Sequence, residues 1–365
     1  MRRPRLRRAV PALLCVLGLS TAACTSSGGD GDPDAAAGSR SLLDTVKSRG
    51  TLRCGVNREV PGFGFPTANG SFAGFDIDFC KAIAAAVIGD ANAVEYKPLS
   101  AAQRFPSLKT NDIDVLVRNT TATATRDGGE GATFATPTFY DGQGVMVKAS
   151  SGFGDLDDLE DTSICVLTGT TTELNLASQL GARGIKYEPR PFETVDTLKQ
   201  AFLSGACDAW TSDLSQLAGQ RSGWPADQGG PGALTILPET LSKEPLAPAV
   251  LDGDPKWASA VDWVVQATIQ AEESKITQAN VDQVRSSTTD PDVKRFLGVP
   301  LEANKPPFDP GLGLPVDFAY KVVKLVGNYG EIYARNVGPD TPLGLARGQN
   351  ALWTDGGLHY ALPYR

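Results

Sequence analysis

The sequence of 365 residues contains a single histidine, His359, seven residues from the C-terminus. One histidine weakens any Ser-His-Asp or Cys-His catalytic scheme and any histidine-rich metal centre. The chain also lacks a pair of cysteines at the Cys-x-x-Cys spacing of zinc and redox sites. The sequence therefore predicts no metal ion and no cofactor, and it predicts that His359 is an ordinary polar residue near a terminus.

Basic residues are outnumbered by acidic ones: the chain has 34 Lys and Arg residues and 42 Asp and Glu residues, so its net charge is −8. This balance argues against nucleic acid or anionic lipid as the main partner. After residue 40 no run is long and apolar enough to cross a bilayer. Hydrophobic residues make up 41% of the chain and charged residues 21%, which is typical of a globular protein with a buried core.

The N-terminus has the pattern of an export signal in residues 1–23. Five arginines stand in MRRPRLRR, an apolar segment runs from Ala9 to Leu19, and small residues precede Cys24. This arrangement resembles a bacterial lipobox, in which the cysteine becomes the lipidated first residue. We therefore expect lipidation at Cys24, with plain secretion as the alternative. Residues 24–40, rich in Gly, Ser, Asp and Ala, predict a flexible tether between the anchor and the folded part.

Four cysteines lie beyond the export signal: Cys54, Cys80, Cys165 and Cys207. An even number in an exported protein indicates two disulfides, and four cysteines allow three pairings. We favour Cys54–Cys80 and Cys165–Cys207, because each pair then stays within one predicted lobe. Buried free thiols are the alternative.

Strand and helix signals alternate from Leu52 to Val117 and again, more loosely, from Ile164 to Asp213. Such alternation predicts two α/β lobes with mostly parallel sheets. Glycine- and proline-marked junctions near residues 139–148 and 241–250 predict two crossings that form a hinge. The predicted boundaries are 41–142 for the first part of lobe 1, 143–242 for lobe 2, 243–300 for the return to lobe 1, and 301–365 for a C-terminal extension that covers lobe 1.

Polar side chains follow the predicted strands at points where open α/β sheets bind ligands. The run VRNTTATATRD contains Asn119, Thr121 and Arg126, and a guanidinium can hold a carboxylate through two hydrogen bonds. In LTGTTTELN the spacing of Thr170 and Glu173 predicts a capped helix start, whose backbone N–H groups attract anions. Asp213 ends a strand of lobe 2 and could receive an ammonium group. Together these groups suit a zwitterion such as an α-amino acid, although separately each could be a helix cap, a surface ion pair or a solvated loop.

The segment GFDIDFCKAIAAAV resembles the signature of the polar amino-acid solute-binding proteins of ABC importers. RNTTATATR, TGTTTE and DAWTSD support the resemblance, which covers roughly residues 41–300. The tail NYGEIYARNVG…PLGLARGQNALWTDGGLHYA is similar to that of the general L-amino acid subgroup. The chain departs from the commonest pattern of that family at Asn57, where related proteins often have Asp. The resemblance implies a two-lobe type II periplasmic-binding-protein fold that closes on its ligand.

The resemblance also implies roles for individual residues. Arg126 would hold the α-carboxylate, Asp213 would hold the α-ammonium, and Arg104 would reach the side-chain pocket and favour acidic or polar substrates. An aromatic ring, Phe63 or Phe65, would cover the ligand. The groups expected to assist at the carboxylate are Asn119, Thr121, Gly169, Thr170 and Thr171.

We therefore expect a monomeric, lipid-anchored receptor on the outer face of the cell membrane. It would capture free L-amino acids and present them to the permease subunits of an ABC importer, without catalysis. One rival is a dehydratase or lyase on the same fold, with Asp213 or Glu173 as its general acid or base. A second rival is a module that presents a bound ligand to a signalling partner.

Overall fold

The structure is a computed structural model and describes residues 41–365. The predicted signal peptide, the lipidation site at Cys24 and the predicted tether lie outside the described residues. Within residues 41–365, every helix is too short or too polar to cross a membrane.

Fourteen strands are found in the described part of the chain. They are β1 (Leu52–Val56), β2 (Phe65–Pro66), β3 (Phe72–Ala73), β4 (Val94–Pro98), β5 (Val115–Leu116), β6 (Ala132–Phe134), β7 (Phe139–Asp141), β8 (Gln143–Lys148), β9 (Thr162–Leu167), β10 (Tyr187–Phe192), β11 (Ala209–Asp213), β12 (Leu234–Ile236), β13 (Glu244–Leu246) and β14 (Ala249–Leu251).

Twelve α-helices accompany these strands in residues 41–365. They are α1 (Leu42–Arg49), α2 (Phe75–Val87), α3 (Arg104–Lys109), α4 (Ala124–Glu130), α5 (Thr171–Arg183), α6 (Val195–Ser204), α7 (Leu214–Ser222), α8 (Pro255–Glu273), α9 (Val281–Ser287), α10 (Pro291–Phe296), α11 (Phe318–Leu325) and α12 (Tyr329–Asn336).

The first sheet has the strand order β4-β1-β5-β14-β6, with β1 parallel to both of its neighbours and β14 returning antiparallel. Helix α2 packs against β1 because nearly all of its residues are apolar and buried. Its N-cap is Gly74, where φ is 133° and an added Cβ would lie 2.1 Å from the carbonyl oxygen of Phe63. Only glycine fits such a close approach of two backbones. The segment GFDIDFCKAIAAAV is thus this helix together with its N-cap glycine.

The second sheet has the strand order β10-β9-β11-β8-β12 and is built wholly from residues 143–236. Strands β9, β10 and β11 are parallel, whereas β8 and β12 run antiparallel to their partners. Side chains alternate between the two faces, so that Val145 and Val147 enter one apolar cluster and Met146 enters another. The two-lobe α/β architecture predicted from the alternating pattern is confirmed.

Two crossings join the lobes, and they pair with each other as the antiparallel strands β7 and β13. A single bridge between Thr121 and Leu246 extends this pairing toward the loop that follows β5. The hinge is therefore a two-stranded ribbon, and the loop carrying Thr121 is attached directly to it.

The residues after 300 form α11 and α12, which both contact α2 and α8 of lobe 1. Val326 and Gly327 interrupt the helical region, and Asn328 caps α12 with a capping box to Glu331. The helical region is therefore broken at Gly327–Asn328. The extension also reaches the hinge, because the Asn350 side chain exchanges two hydrogen bonds with the backbone of Tyr140, at 2.7 and 3.0 Å.

His359 differs from the prediction, because it is buried rather than an ordinary polar residue near the terminus. Its ring lies 4.2 Å from that of Tyr329 and 5.2 Å from that of Tyr140, measured between centroids. Neither ring nitrogen has a hydrogen-bond partner among the described residues. The physical reason is that this terminal segment folds back over the aromatic core of lobe 1.

Both favoured disulfides are present. Cys54 in β1 is bonded to Cys80 in α2, and Cys165 in β9 is bonded to Cys207 just before β11. Each bond ties a strand to a neighbouring element of the same lobe. The predicted pairing is confirmed.

Candidate functional site

The carboxyl ends of strands from both sheets meet at a narrow cleft between the lobes. Seven residues that the sequence predicted as site residues line one cavity there: Arg104, Asn119, Thr121, Arg126, Thr170, Thr171 and Asp213. The other residues that line it are Asn57, Ala101, Arg118, Leu167, Thr172, Val195, Ser212 and Gln216.

Asn119 connects the lobes at the base of this cleft. Its φ is 31°, a left-handed conformation that asparagine adopts more readily than most residues. Its backbone N–H donates to a carboxylate oxygen of Asp76 at 2.7 Å, and its side-chain oxygen accepts from the Asn57 amide at 2.9 Å. Its own amide nitrogen donates across the cleft to Asp213 at 3.2 Å. Asp76 and Asn57 therefore fix the orientation in which Asn119 faces lobe 2.

Arg126 lies in α4, where the threonine-rich run ends. The Thr123 hydroxyl caps this helix by accepting from the backbone N–H of Arg126 at 3.2 Å. The guanidinium of Arg126 donates to the carbonyl oxygen of Thr121 at 2.8 Å and lies 5.6 Å from the ring centroid of Phe105. One face of the guanidinium is thus packed on an aromatic ring while other N–H groups remain to hold an anion.

Two further arginines are buried beside it. Arg104 donates to the carbonyl oxygens of Ala101 and Gly169, both at 2.9 Å, and the second bond crosses from lobe 1 to lobe 2. Arg118 donates to the carbonyl oxygen of Leu99 at 2.7 Å. Burial lowers the pKa of Arg118 to about 10, which leaves it a cation at neutral pH.

Helix α5 points its N-terminus at the same cavity. The Thr170 hydroxyl accepts from the backbone N–H of Glu173 at 3.2 Å, as the predicted helix cap requires. The Glu173 carboxylate turns back to accept from the N–H of Gly169 at 2.9 Å, one residue before the usual partner of a capping box. The first backbone N–H groups of this 13-residue helix therefore supply a positive end for an anion.

Asp213 supplies the negative charge of the site, at the end of β11. Burial raises the pKa of its carboxyl well above the usual range, and the charges of Asp141 and Glu244 raise it further. Asp213 directly precedes α7, but its side chain does not cap that helix. Asp141 accepts from the backbone N–H of Ser215 instead, at 3.3 Å, so the Asp213 carboxylate stays available to a ligand.

Two predicted residues are placed differently. Phe63 is fully buried and packs on Phe75 and Phe139, with ring centroids 5.7 and 5.1 Å apart, in the core of lobe 1. Phe65 is 47% exposed in β2 and does not line the cavity. The ring of Phe63 is held in the core by packing against Phe75 and Phe139. The prediction that Phe63 covers the ligand is therefore corrected, because neither ring lines the cavity. Gly169 contributes its backbone only.

Sequence reasoning did not assign Arg118, Gln216 or Glu244 to the site. Arg118 stands in the run VRNTTATATRD directly after the strand, and Gln216 lies three residues after Asp213, so position alone could have indicated both. Glu244 stands in the second crossing, and its partners come from distant parts of the chain. No local pattern marks it.

The arrangement can bind a zwitterion without covalent chemistry. Three guanidinium groups of lobe 1 and the N-terminus of α5 in lobe 2 supply positive charge, and Asp213, also of lobe 2, supplies an acidic group. Across residues 41–365, no group of three or more His, Cys, Asp or Glu residues could hold a metal ion.

Known proteins are similar to this chain over most of its length. Residues 52–281 match the family model of the bacterial extracellular solute-binding proteins, family 3. The chain is 46% identical over 331 residues to the general L-amino acid-binding periplasmic protein of Rhizobium johnstonii, covering 91% of this chain and 95% of that protein. It is 45% identical over 331 residues to a glutamate/glutamine/aspartate/asparagine-binding protein of Rhodobacter capsulatus, again covering 91% and 95%.

A solved structure supports the same assignment. An ABC-transporter periplasmic binding protein from Brucella ovis, with glutathione bound, superposes with a TM-score of 0.84 at 44% identity, covering 89% of this chain and 100% of that one. The chain belongs to family 3 of the bacterial extracellular solute-binding proteins.

Proposed function

We propose that this protein captures free L-amino acids in the cleft between its lobes and delivers them to the permease subunits of an ABC importer. The observation that carries the proposal is the pairing of charges across one cleft. Arg126 and the N-terminus of α5 suit an α-carboxylate, and the buried Asp213 suits an α-ammonium. Closure follows from differential binding, because a ligand that touches both lobes stabilises the closed state.

The charge balance of the site favours ligands with an additional polar or anionic group. Arg104, Arg118 and Arg126 line the cavity, whereas Asp213 is the one carboxylate among its lining residues. The Rhodobacter relative is named for binding glutamate, glutamine, aspartate and asparagine, and the Brucella relative holds glutathione. We therefore propose acidic amino acids and their amides as preferred ligands, with Arg104 beside the side-chain pocket.

The proposed setting is outside the cytoplasmic membrane. Export through residues 1–23 and lipidation at Cys24 would anchor the protein, and residues 24–40 would let it work at a distance from the membrane. Mass spectrometry of the membrane fraction should find the mature N-terminus at Cys24 with attached acyl chains. A mature N-terminus elsewhere, in a protein released to the medium, would support plain secretion instead.

Calorimetry on ligand-stripped protein against the twenty L-amino acids and glutathione tests the function. We expect binding of several amino acids and no consumption of any, as judged by chromatography after incubation. If none of these compounds binds, the proposal is wrong. If the protein consumes any of them, the rival enzymatic function is supported.

The proposed contacts have a test of their own. Arg126→Ala and Asp213→Ala should each weaken binding more than about tenfold, or about 1.4 kcal/mol. The matched controls Arg190→Ala and Asp112→Ala remove the same charges at exposed positions away from the cleft. Wild-type affinity in both site variants would show that the site is elsewhere.

A further inference from the structure

Glu244 is a buried carboxylate in the hinge strand β13, only 1% exposed. One oxygen, Oε2, accepts from the Thr121 hydroxyl at 2.6 Å and from the Thr171 hydroxyl at 2.8 Å. The other oxygen, Oε1, accepts from the Asn175 amide at 2.8 Å and from the Ser242 hydroxyl. All four donors are neutral, so the buried charge is stabilised by hydrogen bonds to these side chains.

The four donors come from three different parts of the fold. Thr121 belongs to the lobe 1 loop after β5, Thr171 and Asn175 belong to the first turns of α5 in lobe 2, and Ser242 belongs to the hinge. The two threonines that meet at Oε2 stand on opposite sides of the cleft. One oxygen atom of the hinge thus receives a hydrogen bond from each lobe.

This arrangement changes the role of the threonine hydroxyls. A hydroxyl has one proton to donate, and those of Thr121 and Thr171 are donated to Glu244. A ligand carboxylate in the cleft must then take its hydrogen bonds from backbone N–H groups and guanidinium groups. The hydroxyls orient the two halves of the carboxylate site rather than bind the ligand.

We propose that Glu244 is a positioning residue. It fixes the position of the loop that carries Thr121 relative to the N-terminus of α5 when the cleft is closed. The proposal rests on the proposed amino-acid binding for its affinity readout, but not for its conformational readout. Opening the lobes separates Thr121 from Thr171 and leaves the buried carboxylate with fewer donors. Glu244 therefore favours the closed arrangement in which both hydroxyls reach the same oxygen.

A double-mutant cycle tests the coupling, with L-glutamate as the probe in calorimetry. Glu244→Gln preserves the shape of the side chain but replaces one acceptor oxygen with a donor, and Thr171→Val removes the hydroxyl. Each single variant should weaken binding about tenfold, and the double variant should lose little more than either one. Glu188→Gln, which removes an exposed carboxylate, is the matched control. If the loss of affinity in the double variant equals the product of the two single losses, the two residues act independently and the proposal is wrong.

Closure can be measured independently of any ligand. Spin labels at the exposed positions Asp112→Cys in lobe 1 and Ser178→Cys in lobe 2 report the distance between the lobes. Glu244→Gln should shift the distance distribution toward longer values, and the control should not. An unchanged distribution would overturn the proposal even if the protein bound none of the twenty amino acids. If Glu244→Gln does not fold, Thr121→Val, which leaves Glu244 and three donors in place, should give the same shift.

Discussion

The carboxyl group of Asp213 links ligand binding to pH. Burial raises its pKa well above the usual range, so the ligand-free protein holds a proton there over a wider span of pH. An ammonium group favours the ionised carboxylate, and binding should therefore release a proton. Below the raised pKa, affinity should increase with pH by at most about tenfold per unit.

The linkage can be measured by calorimetry in buffers of different ionisation enthalpy. The observed heat should depend on the buffer in the wild type, in the direction of proton release. Asp213→Asn keeps the shape of the side chain and removes the titration, so its weaker binding should depend less on buffer and pH. Buffer-independent heats in the wild type would contradict this role of Asp213.

Because His359 is buried, it should make folding stability decrease at acidic pH. Burial, together with the nearby charge of Arg347, lowers its pKa from 6.5 to about 3. Between these pKa values the unfolded chain binds a proton that the folded protein does not. Stability should therefore be lost as the pH falls from about 6.5 to about 3, by at most about 1.4 kcal/mol per unit from this group.

His359→Phe provides the comparison. Urea unfolding of the wild type and the variant, between pH 7 and the onset of acid unfolding, should show a smaller loss of stability in the variant, because phenylalanine does not titrate. His359→Gln keeps a polar side chain without titration and should also flatten the profile. Parallel profiles of stability against pH in all three proteins would mean that His359 does not remain neutral in the folded state.

Single residues also show what the sequence could and could not predict about the site. Arg126, Asp213 and Thr170 could be predicted to line the cavity because each stands at the carboxyl end of a strand or in the segment that follows it, where the fold class places ligands. Phe63 could not be assigned correctly, because its direction depends on the packing of its ring against Phe75 and Phe139 in the folded core. Glu244 could not be found, because its partners stand 123 and 73 residues away along the chain.

At the scale of elements, apolar periodicity was sufficient for the long helices. Trp257, Val261, Val264 and Ala267 have the spacing of one helix face, and all four are buried in α8. Short elements were harder to predict, because α4 contains two glycines and owes its start to the Thr123 cap. The hinge ribbon of β7 and β13 joins segments about a hundred residues apart, and only tertiary structure can pair them.

The two disulfides stabilise the lobes by closing loops in the unfolded chain, which lowers its conformational entropy. Their cysteines are separated by 26 and 42 residues. In the chain-entropy model each bond contributes roughly 3–4 kcal/mol. Replacing either pair by alanine should lower the free energy of unfolding by about this amount, as measured by urea denaturation of the oxidised protein.

Comparison of the two pairs separates their effects. Removing Cys165–Cys207 should destabilise lobe 2, and removing Cys54–Cys80 should destabilise lobe 1, as hydrogen exchange can localise. Intact mass should differ by four hydrogen atoms between the oxidised and the fully reduced wild type. Four free thiols in the protein purified without reductant would contradict the disulfide assignment.

At the scale of the whole molecule, the C-terminal extension is part of the core rather than an appendage. Phe318, Val322 and Tyr329 are fully buried, and they belong to the same apolar cluster as α2 and α8. The Tyr329 hydroxyl donates to the carbonyl oxygen of Thr138 at 2.9 Å, directly before the hinge strand β7. The extension therefore supports both lobe 1 and one crossing of the hinge.

Removal of residues 301–365 should consequently prevent cooperative folding of lobe 1, because it exposes apolar faces of α2 and α8 to water. Thermal unfolding followed by near-ultraviolet circular dichroism should show a broad transition, with increased binding of a hydrophobic dye. A milder variant, Asn350→Ala, removes the two bonds to Tyr140 and should lower stability by about 1–3 kcal/mol while lobe 1 stays folded. A truncated protein that unfolds cooperatively and still binds amino acids would show that the family core, residues 52–281, is sufficient, and that the extension serves another purpose.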